Sequence, residues 1–146
     1  MAKVISLRQP HAWGAVHGWK DCENRGWYTD YRGPLWIHAG KSKEEFMDTE
    51  PEMWAMEGRK KLFPGLPPWK ELSYGAIIGL VDMVDCVTFE VAESRKKSIH
   101  HNGDWCFLLE NARVLKKPLP WTGQLGLFNI GIEPQDEMFL PQGKKK

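Results

Sequence analysis

The chain has 146 residues, of which 42% are hydrophobic and 27% charged, and a formal net charge of +1. That length suits a single domain with a modest core, and so small a charge excludes nucleic-acid binding by bulk basicity while leaving room for a local basic patch. No apolar run reaches membrane-spanning length, the amino terminus lacks a signal peptide's apolar centre, and three widely spaced cysteines do not make a disulfide framework. The expected compartment is the cytoplasm, or the nucleus if the source is eukaryotic.

Residues 4–7 read as a first strand, ending where Pro10 can open a short helix over 10–17. Gly18 is placed to stop that helix as a left-handed cap. Residues 20–27 and 35–38 are extended. Residues 42–61 have helical spacing, with Ser42 and Glu45 as a capping box, but Pro51 splits them into two pieces. Residues 63–73 form a proline- and glycine-rich loop, the expected mobile segment. Residues 75–87 are apolar without alternation until Asp82, as in a central strand, and 105–109 and 125–130 complete the set. Short strands in mixed order with helical inserts predict an α+β fold, a small β-barrel with flanking short helices. One domain over 1–131 is expected, followed by a tail, 132–146, whose basic end, Lys144 to Lys146, reads as disordered.

The most informative stretch is Gly18-Trp19-Lys20-Asp21-Cys22-Glu23-Asn24-Arg25, a GxKxxExR pattern. In an extended segment, alternation sets Glu23 and Arg25 on one face, with Lys20 near the turn that enters it. A glycine, two cations and a carboxylate make a poor core and a good lining for a polar cleft. From the residues alone Lys20 reads first as a surface ion-pair partner of Asp21 or Glu23, with a cleft lysine that meets phosphate or acts as acid, base or nucleophile as the alternative. Glu23 could hold Arg25 by charged hydrogen bonds or act as a general base toward water. Arg8, Lys20, Arg25, Arg32, Lys41 and Lys43 all fall in the first third of the chain and could form the patch. Eight tryptophans suit both core packing and stacking on bases; Trp27 and Tyr28 stand out because they follow the motif directly. Ser6 and Gln9 could cap the Pro10 helix or present polar groups to the cleft. His38 sits on an apolar strand as a core or cleft-edge histidine. Asp82 needs a partner if buried, with Arg25 or Lys20 the candidates. The histidines have no metal-ligand spacing, so no metal or other cofactor is expected.

In order and spacing, the blocks at 6–13, 18–39, 76–82, 105–111 and 118–128 closely resemble the ASCH (activating signal cointegrator homology) domain of the PUA-like superfamily. The likeness covers residues 4–131. It implies a PUA-like mixed barrel with the GxKxxExR line at the mouth of its cleft, and recognition of RNA, DNA or modified nucleotides. Some members are hydrolases, acting on acylated cytidine nucleosides or on RNA. In the amidohydrolase type a threonine stands where this chain has Glu23, which separates the two chemistries even though Lys20 is kept. His11 and Phe128 replace aromatic and tryptophan residues common at those places.

The expectation that follows is a nucleic-acid-binding module. Arg8, Lys20, Arg25 and Arg32 would meet phosphates, Trp27 or Tyr28 would stack on a base, and Ser6, Gln9, His38 and Asp82 would support the site. The alternative is a hydrolase with Lys20 and Glu23 as the reactive pair. A third class is a protein-interaction module that docks a partner through the apolar loop at 63–69, around Leu66 and Trp69.

Overall fold

A computed structural model describes residues 2–43, 62–95 and 104–142. The elements run β1 (Lys3–Gln9), α1 (His11–Val16), β2 (Cys22–Arg25), β3 (Gly33–Lys43), β4 (Ala76–Thr88), α2 (Phe89–Ser94), β5 (Trp105–Pro120) and β6 (Phe128–Asn129). Short 3-10 turns lie at Trp69–Glu71 and Asp136–Met138. The strands form one six-stranded sheet in the order β2-β5-β4-β3-β1-β6. β1 and β3 are parallel and the other pairs antiparallel. Among the described residues no helix is long and apolar enough to cross a membrane.

The class is α+β, as expected, but the barrel is not closed. Three register shifts in the β4–β5 ladder bend the sheet. The curl brings β2 round to β1, where the Arg25 Nη2 group donates to the Ser6 carbonyl at 2.8 Å. β2 is only four residues long and ends at Arg25, so a side chain spans the gap that a backbone ladder would otherwise fill.

Both faces of the sheet are covered, which explains the unbroken burial of residues 76–81 on the central strand β4. One face carries Ile5, Leu7, Ile37, Val81, Phe107 and Leu109, with α1 packed over it through Ala12, Ala15 and Val16. The other carries Val4, Trp36, Ile77, Leu80 and Phe128 and is covered by the C-terminal segment. There Phe139 stacks on Trp36, and the Trp36 indole N–H donates to the Ile132 carbonyl. Residues 132–142 are thus laid on the sheet as far as Gln142; the basic end lies outside the described residues. Outside β2 and β5, α2 buries Ala92 against Cys22, Cys106 and Leu108. Thr88 caps this helix by accepting from the Val91 N–H. Burial and the adjoining Cys106 thiol push the Cys22 thiol far up, so it stays a protonated core side chain.

Four sequence expectations change. Ser42 does not start a helix, because β3 continues to Lys43; the helical spacing over 44–61 falls outside the described residues. The strand expected at 105–109 runs to Pro120. The one expected over 125–130 shrinks to Phe128–Asn129. The loop at 63–73 turns its main apolar side chains inward: Phe63 and Leu66 are buried and pack with Leu72, Trp13 and Trp19. The fit is close, since a Cβ on Gly14 would stand 2.5 Å from the Phe63 ring. Leu66 therefore serves internal packing rather than an exposed docking face.

Candidate functional site

The site begins at the end of α1. Gly18 adopts φ 79, a left-handed conformation that glycine takes without strain, and turns the chain out of the helix. The Trp19 and Lys20 amides then both donate to the Gly14 carbonyl, at 2.9 and 3.1 Å. This turn aims the Lys20 side chain under β2. Nothing is left to solvent there: the side chain is fully enclosed, at 0% exposure.

From Lys20 a row of alternating charge runs along β2. Lys20 Nζ lies 3.4 Å from Glu23 Oε1, and Arg25 Nε lies 3.0 Å from Glu23 Oε2. The expected alternation holds: Glu23 and Arg25 share a face, while Asn24 points the other way and donates to the Cys106 sulfur. Exposure rises along the row, from 0% at Lys20 through 10% at Glu23 to 26% at Arg25. The ammonium is paired by charge alone, since it has no aligned hydrogen-bond acceptor. Lys20 is therefore the buried end of the row, and Arg25 is the end that a ligand can touch.

Beyond Arg25 the chain leaves the strand and exposes two aromatic rings. Trp27 is held by an edge-to-face contact with Phe107 (centroids 5.1 Å apart), and Tyr28 by one with Trp105 (5.0 Å). The Arg32 guanidinium lies 6.0 Å from the Tyr28 ring centroid. Arg32 also bonds Asp85 at 3.2 Å, so its charge is partly matched. The Cys86 N–H, followed by Arg95 and Arg32, holds the Asp85 carboxyl below the ordinary carboxylate range. Trp27, Tyr28 and Tyr31 line an open cavity of about 510 Å3, whose far wall is Lys3, Gly126 and Leu127.

The remaining expected residues take other places. Arg8 is exposed, but alternation along β1 turns it away from Ile5 and Leu7, the residues that face the interior. Gln9 is buried and caps α1: its Oε1 accepts from the Trp13 N–H at 2.9 Å, and its Nε2 donates to the Ser73 carbonyl. Asp82 pairs with neither Arg25 nor Lys20; its Oδ2 accepts from Asn111 Nδ2 at 3.1 Å. β4 carries Asp82 opposite Glu110 of β5, on the side away from the charged row.

Ser6 and His38 are register partners on β1 and β3. His38 Nε2 donates to the Trp121 carbonyl at 2.7 Å, so in the neutral ring Nδ1 accepts from the Ser6 hydroxyl at 2.9 Å. Gly123 sits so close that a Cβ there would meet Ser6 Oγ at 2.8 Å and the imidazole at 2.9 Å. The pair thus anchors the loop at 121–127. Among the described residues no three His, Cys, Asp or Glu side chains gather in a way that could hold a metal ion.

Sequence reasoning missed Lys3, Tyr31 and the 121–127 loop as parts of this region. The antiparallel pairing of Phe128 and Asn129 with Val4 and Lys3 brings them together, and a two-residue strand leaves no periodicity to read. It also missed a second cavity, of about 750 Å3, between the end of α1, residues 109–114 of β5 and residues 140–142. Lys20 adjoins that cavity as well.

Comparison with known proteins accords with the fold. The sequence matches the ASCH domain over residues 5–119. The chain belongs to the ASCH domain family. It is 29% identical over 147 aligned positions to activating signal cointegrator 1 of Mus musculus and 27% identical to that of Homo sapiens. Each alignment covers 97% of this chain but 23% of the relative, so the chain spans under a quarter of the length of those proteins. Two crystal structures of mutant forms of an ASCH protein from Zymomonas mobilis share the fold, with TM-scores of 0.55 and 0.52 at 14% identity. They cover 89% of this chain, and 89% and 91% of their own.

Proposed function

We propose that this ASCH domain is a nucleic-acid-binding module whose contact face runs from Arg25 through Trp27 and Tyr28 to Lys3. One observation carries the reading: Arg25, the accessible end of the charged row, is followed within three residues by two exposed aromatic rings, Trp27 and Tyr28. A guanidinium suits phosphate, and exposed rings suit bases, so one short segment offers both halves of a nucleotide contact. Lys20 enters this reading as the buried cation that fixes Glu23, and Glu23 in turn aims Arg25. Arg32, beside Tyr28, adds positive potential.

The test is a titration of short RNA and short DNA at two salt concentrations. Wild type should lose affinity steeply with salt. Arg25→Ala should bind about tenfold more weakly on every sequence, with the logarithmic salt slope reduced by about one. Because Arg25 also bonds the Ser6 carbonyl, Arg25→Lys and an unfolding midpoint serve as controls for the fold. Binding that ignores both salt and Arg25 would overturn the reading.

A hydrolase reading has one observation in its favour, the position of Lys20 beside the cavity of about 750 Å3. Against it, both Glu23 oxygens are already engaged by cations, so taking a proton from water would cost an ion pair. Turnover of RNA or acylated cytidine by wild type that disappears in Lys20→Met would make this reading the better one. The kinship with activating signal cointegrator 1 suits a domain that works beside other modules, in the nucleus where the host is eukaryotic.

A further inference from the structure

Leu125 is 99% exposed, the most exposed of the large apolar side chains among the described residues. Single exposed leucines are ordinary on protein surfaces. This one stands out because its loop is fastened. The Trp121 carbonyl is held by His38, Gly123 lies against Ser6 and His38, and Phe128 is buried in the β1 pairing. Gly126, at φ 69, turns the chain directly after Leu125, and Gly126 and Leu127 form a wall of the cavity of about 510 Å3. An apolar side chain is thus presented to solvent at the rim of an aromatic cavity.

The chemistry of that cavity is specific. It is an open hollow of about 510 Å3, which a flat ring can enter from solvent. Cations adjoin two of its rings, Lys3 at 5.8 Å from the Tyr31 centroid and Arg32 at 6.0 Å from that of Tyr28. Asp30 on the rim can accept hydrogen bonds from ring or exocyclic N–H groups. Flat faces, nearby cations and one acceptor match a planar heterocycle attached to phosphate.

Resting on the nucleic-acid reading above, we infer that this cavity receives one unstacked nucleobase and that Leu125 fills the gap the base leaves in its stack. Moving a base out of a stack costs least where it is already unpaired, and an inserted apolar side chain offsets the lost stacking. Arg25, one strand end away, holds the backbone while the base turns in.

The experiment compares three duplexes, prepared both as RNA and as DNA: fully paired, carrying one unpaired adenosine, and carrying an abasic sugar at that position. Wild type should bind the adenosine bulge about tenfold more tightly than the other two. Tyr28→Ala should erase that preference while leaving the salt dependence, and Leu125→Ala should reduce it severalfold. Both side chains are exposed, so neither change threatens the fold. Equal, salt-dependent affinity for all three duplexes would overturn base capture and leave the nucleic-acid module standing. A preference unchanged by both substitutions would overturn the assignment to this cavity. No binding to any duplex would overturn the nucleic-acid reading and this inference with it.

Discussion

Glu23→Ala lowers the unfolding midpoint by on the order of 10 °C, the largest effect expected of any change in the charged row. The carboxylate is the shared counter-ion of an enclosed ammonium and a half-buried guanidinium. Removing it strips Lys20 of its counter-ion at 0% exposure, where it has no aligned acceptor. Breaking a buried pair by deleting one partner costs about 3–5 kcal/mol, because the remaining charge stays desolvated. In a domain of this size each kcal/mol moves the midpoint by roughly 2–4 °C. The opposite deletion behaves differently. Lys20→Met removes the buried charge, keeps most of the stem, and leaves Glu23 paired with Arg25, so its stability should stay within about 1.5 kcal/mol of wild type. Thermal and urea unfolding of both variants checks the asymmetry. Equal losses in the two would sink the buried-charge account and point to plain packing. A folded Lys20→Met protein would also give the binding and turnover assays a clean way to ask what Lys20 does.

Gly79→Ala destabilises by about 3 kcal/mol, at the upper end for overpacking. Gly79 sits at a register shift where β4 pairs with Val114. A Cβ there would stand 2.3 Å from the Arg113 carbonyl oxygen and 2.5 Å from Val16 Cγ1. The first obstacle is backbone within the principal ladder, which cannot yield without losing strand pairing. The second belongs to α1, so relief in that direction lifts the helix that sets Gly18 and Lys20. Gly26→Ala is the control, because a Cβ there meets nothing within 4 Å. Urea midpoints should separate the two variants clearly; a Gly79→Ala midpoint equal to that of Gly26→Ala would mean that the β4–β5 ladder is softer than its geometry indicates.

Much of this protein is legible in the sequence because it rests on local rules. The helix that Gly18 stops, the apolar run that becomes the central strand, and the shared face of Glu23 and Arg25 each follow from conformation or period over a few residues. Membership of the ASCH family is likewise carried by separated sequence blocks. β5 was legible only as far as Leu109. Its continuation holds Glu110, Asn111, Arg113, two lysines and two prolines, which read as loop. It is a strand because its backbone pairs with β4 from Ala76 to Asp82, a pairing that the polarity of its side chains does not forbid. Leu125 failed in the other direction: an apolar residue beside strand-like neighbours, it is left outside because pairing starts only at Phe128.

The sequence alone determined which residues carry charge and aromatic surface, and which of them alternate onto one face. Only the tertiary structure decided their depth and company. Lys20 is buried, Asp82 belongs to Asn111, Arg8 faces away, and Lys3 meets Tyr31 across the end of the sheet. Those outcomes depend on how far the bulges curl the sheet and on which distant strands then meet, and non-local pairing of that kind leaves no periodic mark in the chain.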